Sequence, residues 1–289
     1  MSPERVPVAK TAKLYIAGAF PRSESGRSYV VNAANGRLLA NVAAASRKDV
    51  REAVVAARAA QARWAAATAY NRGQVLYRIA EMLEDRAPTF TAAVADAEGC
   101  DDADARARVG ATIDRLVWYA GWADKIAQIV GGANPVAGPF FNFSLPEPTG
   151  VVGVLAPQNS SLLGLVSVVA PVITTGNAAV VVASEARPLP AVAFAEVLAT
   201  ADLPGGVVNI LTGRTAELAP VLAAHRDVEA LDCAGAGPEL SATLEEAAAD
   251  NVKRVLAAPG EEEEWSASPS VQRMLAFVET KTVWHPLGI

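Results

Sequence analysis

Few side chains in this sequence can serve as nucleophiles, proton carriers or soft metal ligands. There are two cysteines, Cys100 and Cys233, and two histidines, His225 and His285. None of them stands at the short spacing from another that zinc and related ions require, so metal chemistry is not expected. Cys100 lies in AEGCDD, where neighbouring carboxylates raise a thiol pKa and suppress the thiolate that covalent catalysis needs. No feature of sequence supports a disulfide between the two. The remaining candidates are the polar and glycine residues that close a series of short apolar runs between Glu147 and Gly237.

Those runs are Val151–Leu155, Ala178–Val182 and Val207–Leu211, rich in Val, Ile and Leu and separated by segments long enough for a helix. The alternation predicts an α/β fold, a parallel sheet with crossover helices, in which ligands sit beyond the carboxyl ends of the strands. Upstream, Lys13–Gly18 and Ser28–Val31 read as short strands, and Asn35-Gly36 as a turn. Ser46 precedes Asp49 by three residues, a capping box for a helix carrying Val50, Val54, Ala57 and Trp64 on one face. A second helix is expected over Tyr70–Arg86, with Leu76, Ile79 and Leu83 inward. A third runs from Ala103 to Ala127 on Val109, Ile113, Leu116 and Ala120. Trp118, Tyr119 and Trp122 are assigned to packing rather than to ligand stacking. Gly131–Pro148, with FFNFSL, reads as a linker or as a hairpin strand in want of a partner chain. Leu240–Leu256 is helical in pattern, Glu261–Glu264 after Pro259-Gly260 a solvated linker, Ser268–Phe277 a short helix, and Thr280–His285 a final strand.

Composition narrows the class of function. Charged residues make up 19% and apolar residues 52%, as in an ordered globular protein. The formal net charge of −6 argues against nucleic acid and anionic membranes as partners. Leu162–Ala183 is apolar but contains Thr174, Thr175, Gly176 and Asn177, which fit a helix-to-strand turn and not a bilayer interior. With no apolar core of signal-peptide length at the start, a cytoplasmic location is expected.

With these segments laid out, the chain resembles the aldehyde dehydrogenase superfamily. The resemblance rests on KLYIAGAF, NAANGRLLANVAAAS, DRLVWYAGWADKI, EPTGVVGVLAPQN, TTGNAAVVVASEARP and LPGGVVNILTG, in that order. It implies a Rossmann-type domain for NAD or NADP, with a separate domain that carries a cysteine nucleophile and a glutamate. Asn159 then matches the asparagine that stabilises the oxyanion, and Pro157 the proline just before it. Glu185 matches the acid that holds the adenosine ribose, and Gly213 and Gly235 match glycines that let backbone approach the cofactor.

The departures from the pattern carry as much weight. Gln158 stands in place of a tryptophan, Val182 in place of a ribose-binding lysine, and Thr215 in place of a second glycine. Ala234 and Ala236 replace the hydroxyls of a Thr-Gly-Ser motif, and Cys233 falls on an apolar position just before it. Neither the cysteine-bearing nor the glutamate-bearing segment is found, although FVETKTVWHPLG resembles the family's C-terminal strand. The chain thus resembles the incomplete second unit of two-unit aldehyde dehydrogenases. The implied division is 1–130 for the first part of the nucleotide-binding-type domain and 131–148 for an oligomerisation hairpin. It continues with 149–256 for the Rossmann-like core, 257–270 for an acidic linker and 271–289 for an oligomerisation tail. The expected function is a non-catalytic subunit that pairs with itself or with a full-length aldehyde dehydrogenase through Phe140–Leu145 and Thr280–His285. No bound cofactor is expected, NAD or NADP being the choice if one is held. The alternative is an NAD(P)-dependent aldehyde oxidoreductase whose cysteine comes from a partner chain.

Overall fold

Apolar runs without polar alternation must be covered on both faces, and the tertiary structure supplies both covers. The computed structural model describes residues 11–259 and 264–288. The chain opens with β1 (Thr11–Ala12), β2 (Ser28–Asn32) and β3 (Leu38–Ala43), followed by α1 (Arg47–Ala66), α2 (Ala69–Asp85), α3 (Ala87–Glu98), α4 (Asp102–Trp122) and α5 (Ile126–Val130). Two strands, β4 (Gly132–Asn134) and β5 (Phe140–Pro148), lead into the central alternation of β6 (Val151–Leu155), α6 (Leu163–Thr174), β7 (Ala178–Val182), α7 (Leu189–Leu198), β8 (Val208–Leu211), α8 (Thr215–Ala223) and β9 (Ala230–Asp232). The last elements are α9 (Pro238–Ala249), β10 (Arg254–Leu256), α10 (Gln272–Leu275) and β11 (Val278–Pro286).

Strands β10, β9, β6, β7 and β8 form one parallel sheet in that order. Every residue of β6 and β7 is buried. Successive side chains take opposite faces: Val152, Val154, Ala179 and Val181 join one core with α2, α3, α4, α6 and α7. Val151, Leu155, Ala178, Val180 and Val182 join the other with α1, α8 and α9. This is the doubly covered sheet that the unbroken runs require.

Local signals set the first helix. Ser46 accepts hydrogen bonds from the Lys48 and Asp49 amides while Asp49 accepts from Ser46 N at 2.7 Å, the reciprocal capping box that the spacing predicts. Ser23 Oγ donates to that same Asp49 oxygen and Glu24 N to the second one, which ties the entry loop to the helix. Trp64 at the far end buries its ring and donates Nε1 to Ile173 O at 2.9 Å.

Several elements differ from the sequence expectation. Thr11–Ala12 and not Lys13–Gly18 forms β1, and Tyr15 makes only an isolated bridge to Ile210. The strand β3 and the helix α3 were not anticipated, because Leu38–Ala43 follows a turn-rich stretch and Ala87–Glu98 is alanine-rich with no sharp stripe. The third helix stops at Trp122, and α5 follows separately. Leu240–Leu256 splits, with only Pro238–Ala249 helical and Arg254–Leu256 forming β10, because three residues completing the edge of a parallel sheet carry no periodic signal. The linker assigned to Glu261–Glu264 falls almost wholly outside the described residues.

A third sheet, in the order β11-β5-β4, stands apart from the central one. Its central strand is β5, paired along its length with β11 and over Asn142–Ser144 with β4. Phe140–Leu145 and Thr280–His285 therefore pair with each other within the chain, and the outer edges of this sheet are β11 and β4. Among the described residues no helix is long and apolar enough to cross a membrane.

Candidate functional site

The carboxyl ends of β6, β7, β8 and β9 converge, and four of the five sequence-nominated residues turn out to be structural parts of that convergence. Pro157 is buried and packs on the first turn of α6, where a Cβ on Gly164 would lie only 3.0 Å from Pro157 Cγ. Asn159 is exposed, and its backbone oxygen accepts from Arg187 Nη1 at 2.7 Å. Between them, Gln158 stitches two strand ends together. Its Nε2 donates to Ala156 O at 3.0 Å, its Oε1 accepts from Glu185 N at 2.9 Å, and its backbone oxygen accepts from Ser184 Oγ at 3.0 Å.

At the ends of β7 and β8, Val182 is fully sealed in the core. The Glu185 carboxylate accepts from Thr215 N at 3.1 Å and sits 3.6 Å from Arg214 Nη1. It thereby caps the amino end of α8, where the helix dipole favours an anion. Close to it, Thr215 Oγ1 is buried with no hydrogen-bond partner among the described residues. Burial and then the Glu185 charge push the Tyr29 phenol pKa up, against a hydrogen bond with the Gly213 backbone. Gly213 adopts φ 150° against the Ala45 backbone, a conformation that other residues rarely adopt.

At the end of β9, Gly235 N donates to Leu155 O at 2.8 Å. A Cβ at Gly235 would collide with the Ala156 carbonyl, so glycine there serves contact between two strand ends. Cys233 is fully buried, and burial first, then the charges of Asp232 and Glu245, push its thiol up to about 12. Cys100 is raised mainly by burial, with Arg108 opposing and Glu98 adding to the effect. The acids singled out from sequence are thus secondary to desolvation. Among the described residues no cluster of His, Cys, Asp or Glu could hold a metal ion.

Sequence reasoning passed over Asp232, which is fully buried and ion-paired with Arg273 of α10. Its second oxygen accepts from Ala234 N at 3.1 Å. Burial raises the Asp232 carboxyl against the pull of Arg273 and of these hydrogen bonds. An acid within the buried run ALDC was the available signal, since such a carboxylate demands a cation. Arg273 in turn lies 5.4 Å over the Trp265 ring.

The segment from Trp265 to Arg273 lies at this end of the sheet and then runs to the amino ends of β6 and β7, where Phe277 O accepts from Thr149 N and Asn177 Nδ2. Arg115 Nη2 donates to Ala267 O at 2.5 Å, Tyr119 Oη to Ser270 O at 3.4 Å, and Met274 and Phe277 are fully buried. Trp265 and Ser266 meet Arg108, Asn159, Ser160 and Leu163 around a cavity of about 300 Å³. The exposed Asn159 therefore faces a wall made by the chain's own later segment.

Comparison with known proteins places the chain in a family. The family model described as "Aldehyde dehydrogenase family" matches residues 20–267. Cytosolic 10-formyltetrahydrofolate dehydrogenase of Xenopus laevis is 33% identical over 251 residues, 84% of this chain and 28% of that protein. Omega-crystallin of Enteroctopus dofleini is 30% identical, over 87% of this chain and 51% of its own length. Among solved structures, HpcC of Thermus thermophilus superposes with a TM-score of 0.81 at 31% identity, covering 85% of this chain and 47% of that one. The NAD+ complex of an aldehyde dehydrogenase from Bacillus cereus gives 0.80 at 26% identity, covering 85% and 50%. The chain spans about half the length of such relatives or less. On sequence, strand order and the placement of the strand-end residues together, this chain belongs to the aldehyde dehydrogenase family.

Proposed function

We propose that this chain is a catalytically silent member of its family, acting as a structural or regulatory subunit that assembles with a second copy or with a full-length aldehyde dehydrogenase. The observation that carries this reading is the lining of the cavity at Asn159, which is made by Arg108, Ser160, Leu163, Trp265 and Ser266 and includes neither cysteine of the chain. The protein's thiols support the same reading: Cys233 is buried and held at about 12, far from the thiolate range needed at neutral pH.

The residues at the strand ends do not fit a whole dinucleotide. Val182 is sealed in the core and has no donor, Ala234 and Ala236 offer methyl groups, and the Glu185 carboxylate is shared between Thr215 N and Arg214. Each missing polar contact costs a ligand about 1–3 kcal/mol. Assembly has positive support in the third sheet. Phe141 and Leu145, both exposed, share one face of β5 with Phe143, and Val283 of β11 lies opposite Phe143 on that face. An apolar face beside an open strand edge is suited to a protein partner.

One observation favours the second reading, an NAD(P)-dependent oxidoreductase completed by a partner's cysteine. The unpartnered Thr215 hydroxyl beside Glu185 is the kind of group a ligand diol would satisfy. Calorimetry with NAD and NADP, together with sizing of the chain alone and co-expressed with a full-length aldehyde dehydrogenase, separates the two. The subunit reading expects an oligomer and no cofactor heat at about 1 mM, near −4.1 kcal/mol of binding. A strict monomer that joins neither partner overturns it.

A further inference from the structure

The amino ends of the same parallel strands hold a second cleft, on the side of the sheet away from Asn159. Its volume is about 520 Å³, and Thr149, Arg226, Glu229, Lys253, Arg254 and Glu279 line it. Thr149, Glu229 and Lys253 lie just before β6, β9 and β10, so the topology of the sheet gathers them.

The charges in the cleft are not balanced. Glu229 is ion-paired with Arg58, and Glu279 with Arg254 at 3.0 Å. Arg226 is exposed and has no ion pair among the described residues. The Lys253 ammonium donates to a neutral acceptor, His225 O, at 2.6 Å, although only 9% of the residue is exposed. Thr149 Oγ1 is buried beside them with no hydrogen-bond partner. Two cations with no carboxylate contact thus share one cleft in a chain of net charge −6. What sets this cleft apart is the combination of an exposed guanidinium, a nearly buried ammonium held only by a carbonyl, and a buried hydroxyl without a partner, donors suited to an anion.

We propose that this cleft binds a phosphate-class dianion, either inorganic phosphate or a phosphate monoester, with Arg226 and Lys253 as the charged ligands and the Thr149 hydroxyl as a further donor. A planar guanidinium and an ammonium are the pair that tetrahedral phosphate oxygens use best. The site rests on chain features independent of the subunit reading, and its test does not depend on assembly.

The pH response gives the sharpest signature. Burial pulls the Lys253 ammonium down to about 8, with Asp227 drawing it back up. The other charged groups facing it are His225, Arg226 and Arg254, with Glu229 and Glu279 across the cleft. The second ionisation of a phosphate monoester lies at about 6, so an alkyl phosphate stays a dianion above neutrality, whereas inorganic phosphate is still gaining its second charge there. Binding of the alkyl phosphate should then weaken as pH rises from about 7 to about 9, because Lys253 loses its charge and that ligand does not.

Calorimetry of the full chain with inorganic phosphate and, separately, with a simple alkyl phosphate tests the proposal at constant ionic strength. Saturable binding at one site is expected, about tenfold weaker in Arg226→Ala, whose exposed side chain leaves folding intact. Lys253→Met should weaken binding by a similar factor and abolish the fall between neutral and alkaline pH. Tighter binding of the alkyl phosphate identifies a monoester as the ligand, and equal binding identifies the free anion. Absence of saturable heat at about 10 mM ligand, or unchanged affinity in Arg226→Ala, overturns the site. Should Lys253→Met fail to fold, the Arg226→Ala comparison and the wild-type pH profile still decide.

Discussion

Val252 shows how a single backbone angle can be read for stability. It adopts φ 56° at the end of α9, where Val252 N bonds Ala249 O and Lys253 N bonds Ala248 O. This pair of bonds is the helix-ending motif that normally places glycine at that position. A β-branched residue there costs about 1–2 kcal/mol, and Val252 is 89% exposed, so no packing offsets the cost. Val252→Gly should stabilise the chain by about 0.5–1 kcal/mol, after allowing for the freedom glycine adds to the unfolded chain. Urea midpoints with unchanged slope would show it. The cysteines make a second prediction at this scale. A neutral-pH thiol reagent should modify Cys100 faster than Cys233 in the native chain and both rapidly once unfolded, because Cys233 is fully buried with its thiol at about 12. Equal native rates would contradict the burial account.

At the scale of elements, the buried Asp232–Arg273 ion pair is the charged contact among those that hold α10 and the segment before it. Removing Arg273 leaves the Asp232 carboxylate in the core with only an amide to satisfy it. Arg273→Met should cost about 3 kcal/mol near pH 7. The sign of its pH dependence follows from the direction of the Asp232 shift. Its folded pKa is raised above the ordinary 3.8, so its contribution is complete below that value and is lost as pH rises through the folded pKa. Without Arg273 the raised pKa moves further up. The deficit of the variant should therefore shrink as pH falls from neutrality toward 3.8, as the lone carboxyl becomes neutral. Denaturation midpoints measured across that range check this, and a deficit that grew on acidification would place the pair's energy elsewhere.

For the whole molecule, the proposed subunit role places its interface on the separate three-stranded sheet. Phe141 and Leu145 project from one face of β5 and remain exposed, beside the open outer edge of β11. Phe141→Glu with Leu145→Glu should dissociate an oligomer formed through this face, seen as a fall in mass by light scattering. The fold itself should survive, since neither side chain contributes to the two main cores. A variant that keeps its full assembly would place the interface on another surface.

The sequence by itself determined the family, the parallel sheet and the first two long helices. Those rest on local physics: unbroken apolar runs in β6, β7 and β8, the Ser46–Asp49 box, and the stripe of Leu76, Ile79 and Leu83. It also located Pro157, Asn159, Glu185, Gly213 and Gly235, because motif spacing survives in the linear chain. What each of them does was decided only in three dimensions. Gly235 presses on Ala156, Glu185 caps α8, and Asn159 faces Trp265 from more than a hundred residues downstream. The Asp232–Arg273 pair and the mutual pairing of β5 with β11 are likewise contacts between distant segments. Burial and charge pairing depend on which segments meet, and no local pattern of residue types records that meeting.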